Sequence, residues 1–348
     1  MIRLSDILKK YKEGRSAKAS GGQQQEEPAP VKPAEEEKLS LSAAMAKEES
    51  AGDAVLARDV YEAAVAKAKE IYSPDLLEKP DFKLDFDALI ERIVGCLGTS
   101  NKELLQLCLA EYPKIEDYLY FHVVDVVILC LDLGLGLGLE EQRLHELGIA
   151  AFIHDIGEVA YLPIINKKGI LSKAEFNTVK EHPQMAVKIL SKILSKIDQN
   201  IIDATYQEHE RLDGSGYPRG LKEKQISEFA QIIGLADVYE AMIHQRPYRT
   251  KYTPLETVKS ILHNKEAFDC RIIKTLIERI GIFPLGIMVR LNTKETGVVV
   301  RENTRLPLRP VVKMLTDVNG KQIKENRFID LAQNPVVFIE ESMECAKG

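Results

Sequence analysis

Near residue 284 the spacing of apolar residues changes period, and that change divides the chain. From about residue 54 to about 281, stretches such as AVLARDVYEAAVAKAKEIY, FDALIERIVGCLGTS and KELLQLCLAEY place apolar side chains three and four apart, the period of a helix with one buried face. No strand pattern alternates with them, so this region reads as all-α. Beyond 284, IMVRL, TGVVVRE, RPVVKML, FIDL and VVFIEES alternate apolar with polar residues, the period of half-buried strands, and Asn319-Gly320 offers a hairpin turn. The expected fold class is mainly α: a helical domain over residues 51–283, then a small β domain over 284–348. Upstream, residues 14–50 are rich in Gly, Gln, Glu, Pro and Ala and read as a disordered linker. Residues 1–13 carry Ile2, Leu4, Ile7, Leu8 and Tyr11 at helical spacing and could form a short docking helix.

Composition sets limits on function. A formal charge of −6 argues against binding nucleic-acid polymers, and an anionic ligand needs a local basic cluster. The five cysteines (Cys96, Cys108, Cys130, Cys270, Cys345) show no CxxC spacing, so neither a disulfide framework nor a thiolate zinc site is indicated, and a reducing cytoplasm fits. The greasiest run, VVDVVILCLDLGLGLGL, is interrupted by Asp125, Asp132 and three glycines, which argues against a membrane span.

All seven histidines lie in the helical region. In HDIGE, read as one helical stretch, Glu158 shares a side with His154 and Asp155 and could grip a cation. For this pair alone, a core histidine bonded to Asp155 competes evenly with a metal site. His122 in FHVVD, His182 before Pro183, His209 flanked by Glu208 and Glu210, and Asp237 in the apolar FAQIIGLADVYEAMI shift the balance. Four imidazoles and two or three carboxylates can hold two divalent cations, with Asp155 bridging through its two oxygens. Such a pair suits phosphoester hydrolysis, and mixed imidazole and carboxylate ligation suits Fe, Mn or Zn. Lys167, Lys168, Arg211, Arg246, Arg249 and Lys251 are the basic groups near these motifs; for Lys168 and Lys251 a solvated role is preferred.

HDIG, LPIINKKGILSKAEFNTVKEHP, HERLDGSGYPRGL and ADVYEAMIHQRPYR resemble, in order and spacing, the bacterial HD-GYP family of HD-domain phosphohydrolases over roughly residues 83–283. The resemblance implies an all-helical fold with a binuclear, often iron, centre that hydrolyses cyclic di-GMP to pGpG or GMP. By position it implies His122, His154, Asp155, His182, His209 and Asp237 as metal ligands, and Tyr217, Arg246 and Arg249 as the substrate-binding set. Lys167 joins that set on charge.

The family usually reads HDxGK where this chain has Glu158, and HHE where it has Glu208 in place of the first histidine. Glu158 puts an anion where a lysine would meet phosphate; with its pKa raised by burial, it could serve as general base to water alongside Asp155. Glu208 replaces a neutral ligand with a negative one that iron or manganese accepts. Tyr118 stands where some members carry a carboxylate for a third metal, so two metals are expected. The alternative is a degenerate module that binds nucleotide or a signalling-protein partner without turnover.

Overall fold

The structure is a computed structural model. It describes residues 55–73, 85–112, 118–167, 169–193, 198–245, 251–283, 285–303, 306–323 and 325–343, so the expected terminal helix and linker lie outside the described residues. The described helical and strand regions belong to one compact unit.

Helix α1 (residues 55–71) buries Ala57, Val60, Ala64, Ala68 and Ile71, one side of a helix. Helix α2 (Asp87–Cys108) follows Phe86, whose ring stacks on Phe152 with centroids 4.8 Å apart. Helix α3 (Tyr118–Leu137) is apolar all round because it is the core: it packs against α2, α4 (Glu141–Ile153), α9 (Glu228–Ile243) and α11 (Cys270–Ile280). It is long and apolar enough to cross a membrane, yet 78% of its apolar window is buried inside the protein. Its acids are used internally, and Asp132 is held by Arg279 of α11, whose Nε lies 3.0 Å away.

The HDIGE segment is not one continuous helix. Helix α4 ends at Ile153, Asp155 adopts φ −94° and ψ 13°, and a 3₁₀ turn runs over Ile156–Tyr161. The cause is tertiary. The turn packs on α7 (His182–Ile193), and a Cβ on Gly157 would stand 2.0 Å from the carbonyl oxygen of His182. Between them lie a single helical turn, α5 (Leu162–Ile165), and α6 (Lys173–Val179), which opens with a Ser172/Glu175 capping box. Helix α8 (Gln199–Gln207) leads into the loop that carries His209 and Tyr217, and α9 begins after Ser227, whose side chain accepts from the Ala230 N–H. Helix α10 (Pro254–His263) has a Thr253/Glu256 capping box.

After α11 ends at Gly281 (φ +76°), the period changes as the sequence indicates. Strands β1 (Met288–Leu291), β2 (Thr296–Arg301), β3 (Val311–Thr316), β4 (Phe328–Asp330) and β5 (Ile339–Met343) form one antiparallel sheet in the order β4-β3-β2-β1-β5. Alternate residues Val289, Leu291, Val299, Val312 and Met314 are buried. At Asn319-Gly320 the chain does turn, with Gly320 at φ +79° and Asp317 accepting from the Asn319 and Lys321 N–H groups.

Candidate metal centre

The site is built from five segments, and each delivers its ligand by a different local device. His122 stands inside α3, His154 and Asp155 at the break after α4, His182 at the first position of α7, Glu208 and His209 in the turn after α8, and Asp237 inside α9. Gly234 lets α9 approach that turn, since a Cβ there would meet Glu208 O at 2.3 Å.

These residues converge. Asp155, His182, Glu208 and His209 offer ligand atoms that all lie within 4.8 Å of one another, and so do His122, His154 and Asp237. Asp155 stands between the groups: its Oδ1 is 3.4 Å from His182 Nε2, and its Oδ2 is 3.3 Å from His122 Nε2 and 3.4 Å from His154 Nε2. Glu208 Oε1 is 3.4 Å from His182 Nε2 and Oε2 is 3.8 Å from His154 Nε2. Asp237 lies 3.4 Å from His122 Nε2 and 3.8 Å from His209 Nδ1. Donor atoms about 2.1 Å from one cation sit roughly 3.0–3.5 Å from each other, so these separations suit ligands to shared ions.

Hydrogen bonding favours the same assignment. His154 Nδ1 lies 2.8 Å from Ala151 O and His182 Nδ1 lies 2.9 Å from Val179 O, which places the proton on Nδ1 and turns each Nε2 lone pair into the site. His154 Nε2 and both Glu208 carboxylate oxygens are buried and make no hydrogen bond. Unpartnered buried acceptors are costly, and a cation is what such a donor set accommodates.

The fields inside the cluster are strong. Burial pushes the Asp155 carboxyl up, but His154 and His122 overcome it and hold the group well below the usual carboxylate range. Burial likewise opposes charge on His154, yet Asp155 and Glu208 raise its pKa well above normal. His182 follows to about 9, burial again being outweighed, chiefly by the Glu208 carboxylate 3.4 Å away. His209 is driven well down by burial, with the neighbouring His182 adding to it. Without metal, protons hold the acids and imidazoles together.

The cluster is closed on one side and open on the other. The side chains of His154 and Glu208 are fully buried, whereas those of His209 and Asp237 are 15% and 14% exposed, so a ligand approaches over the latter pair. Tyr217 covers this mouth: its ring stacks on His209 with centroids 4.6 Å apart. Its phenol stays protonated, raised first by burial and then by Glu208. Glu158 is half-buried on the 3₁₀ turn, and its charge is felt at His182 and Tyr217.

The remaining residues named from the sequence fare differently. Lys167 is exposed and its ammonium lies 2.7 Å from Glu175. Arg246, Arg249 and Lys168 lie outside the described residues. Arg211 is a structural staple, donating from Nη1 to the carbonyls of Glu208 and Glu210. Asp213 caps its own turn through Ser215.

Sequence reasoning missed three contributors. Lys180 holds its ammonium 4.6 Å from the Tyr217 ring centroid and 5.1 Å from that of Phe176. Glu210 pins the loop by accepting from the Arg219 and Leu221 N–H groups. Glu240 bonds His122. An acid inside an apolar helix was the available signal for Glu240.

Comparison with known proteins agrees with this geometry. Residues 99–272 match the HD domain family, and residues 288–347 match a KOW domain associated with HD domain. Relatives include the cyclic di-GMP phosphodiesterase PA4108 of Pseudomonas aeruginosa, 33% identical over 65% of this chain and 55% of that protein. Another is the cyclic di-GMP phosphodiesterase PdeB of Borreliella burgdorferi, 31% identical over 62% and 56%. The chain thus spans little more than half the length of these relatives. Bd1817, an HDG"Y"P protein from Bdellovibrio bacteriovorus, shares the fold with a TM-score of 0.50 at 20% identity, covering 63% of this chain and 70% of that one. With the family matched across half its length and its histidines and acids gathered at one centre, the chain belongs to the HD-domain family.

Proposed function

We propose that the chain is a metal-dependent phosphodiesterase that hydrolyses cyclic di-GMP to pGpG or GMP, with a helical catalytic domain over residues 51–283 and a β domain over 284–348. The observation that carries this reading is the pair of ligand groups meeting at Asp155, with His154 Nε2 and the Glu208 oxygens left without hydrogen-bond partners. One divalent cation fits Asp155, His182, Glu208 and His209, and a second fits His122, His154 and Asp237 with Asp155 shared. Iron or manganese suits this donor set best, with zinc possible chemically. Bound there, two such ions supply Lewis-acid stabilisation of charge on phosphate and a nucleophilic water at neutral pH.

The chain's own residues do the rest. The three carboxylates offset three of the four charges of two dications, leaving a net attraction for a phosphodiester. Tyr217, kept protonated, donates from the open side, and Lys180 above its ring supplies a cation near the mouth where Glu158 has replaced the family's lysine. Arg246 and Arg249 complete the substrate set by their place in RPYR, while Lys167 reaches substrate only by leaving Glu175. Glu158, on the rim, accepts a proton from water.

Protein reconstituted anaerobically with Fe²⁺ or Mn²⁺ and incubated with cyclic di-GMP should yield linear pGpG or GMP. No product with any metal rejects the enzyme. Glu158 favours a second reading, a module that binds nucleotide or a signalling-protein partner without turnover. That reading gives saturable binding without product, and Glu158→Lys should then gain activity.

A further inference from the structure

Beside the metal ligands lies a second buried set of polar groups that hydrolysis does not use. Glu240, one turn after Asp237 on α9, is fully buried. Its Oε2 pairs with His122 Nδ1, while its Oε1 accepts from the Tyr112 hydroxyl and lies 2.9 Å from His244 Nδ1. The Tyr112 hydroxyl also lies 3.1 Å from Asp125 Oδ2, and Asp125 Oδ1 accepts from the Tyr61 hydroxyl at 2.8 Å. Asp125 follows His122 by three residues on α3, as Glu240 follows Asp237 on α9, so each acid shares a helix face with a ligand.

His122 needs this help for a reason that His154 and His182 escape. Those two stand at helix ends and find carbonyls, Ala151 O and Val179 O, to hold Nδ1–H. His122 stands inside α3, where the preceding carbonyls belong to the helix ladder. A side chain from another helix must fix its ring, and a carboxylate does so more strongly than an amide, raising the basicity of Nε2.

We propose that Glu240 is the positioning residue for His122, and that Tyr112, Asp125 and Tyr61 extend its hold to helix α1, ahead of the residues matched by the HD family. The inference rests on His122 being a metal ligand, and is read through metal affinity, independent of turnover.

The full chain, stripped by chelation, is titrated with Mn²⁺ while free Mn²⁺ is followed by electron paramagnetic resonance, and the metal-free melting temperature is recorded. Glu240→Gln should weaken Mn²⁺ binding roughly 10–100-fold, the usual cost of losing an outer partner of a ligand. Tyr61→Phe should weaken it about threefold, the net worth of one hydrogen bond. The Co²⁺ absorption bands should shift in the first variant, which a loss of packing alone would not cause. Unchanged Mn²⁺ affinity in Glu240→Gln overturns the positioning role while leaving the metal centre standing. If that variant does not fold, unchanged affinity in Tyr61→Phe overturns the network. A wild-type chain that takes up no Mn²⁺, Fe²⁺ or Zn²⁺ overturns the metal reading and this inference together.

Discussion

Two buried clusters of the same residue types lie side by side, and they differ in what their lone pairs meet. Around Asp155, imidazole and carboxylate acceptors converge, and three of the buried atoms have no hydrogen-bond partner. Around Asp125, Glu240 and His244 the ligand-type atoms are equally close, yet tyrosine hydroxyls and His122 satisfy the carboxylates. Proximity of acids and imidazoles therefore does not define a metal site. Converging acceptors without donors do. The first cluster is poised to take cations, and the second holds the first in shape.

The contrast can be broken most directly at Asp155. Asp155→Ala should lower metal content and cut cyclic di-GMP hydrolysis by about 1,000-fold, measured by elemental analysis and product assay on one sample. Retention of the wild-type metal content would mean that the groups do not meet at this residue. Next in size, Gly157→Ala should cost about 1–3 kcal/mol in urea unfolding of the metal-free chain, because the added methyl meets His182 O. Lys180→Ala should raise KM roughly tenfold with little change in kcat, as expected for one lost charged contact to phosphate. Equal KM values would leave Lys180 with only its aromatic neighbours.

Acid–base behaviour sharpens the comparison. In the metal-free chain His182 has its pKa raised from 6.5 to about 9, burial being outweighed by Glu208. A raised folded-state pKa contributes stability that is complete below pH 6.5 and fades as pH rises through about 9. Thermal melts of chelated protein should therefore decline over that window, and Mn²⁺ should flatten the decline by replacing the protons. The smallest effect belongs to the second cluster: Asp125→Asn should leave the metal count of the metal-saturated chain at its wild-type value. A fall in that count would show that Asp125, Glu240 and His244 bind an ion of their own.

Much of this was legible in the sequence because the period of apolar residues reports burial directly. The strands at 288–291 and 296–301 fall within IMVRL and TGVVVRE, and the strand at 311–316 begins in RPVVKML and ends one residue past it. The seven residues expected as metal ligands were named from the order and spacing of the FHVVD, HDIG, EHP, EHERLDG and ADVYEA motifs, and the fold brings ligand-type atoms of all seven into two neighbouring groups. The break at Asp155 was hidden, since HDIGEVAY contains nothing that forbids an α-helix except one glycine whose role depends on a segment 25 residues later. Lys180 was hidden for a like reason: its significance comes from Tyr217, placed under it by tertiary structure. Glu240 and Asp125 were readable by the logic applied to Asp237, for each is an acid inside an apolar helix three residues beyond a ligand.

Gly157 carries one more implication. Its bare α-carbon lets the turn after His154 rest on the first residue of α7, so the gap between Asp155 and His182 is gauged by a hydrogen atom where any other residue would put carbon. The aperture of the metal centre is thereby machined into the main chain, and ion size selection would follow backbone contact as much as ligand chemistry.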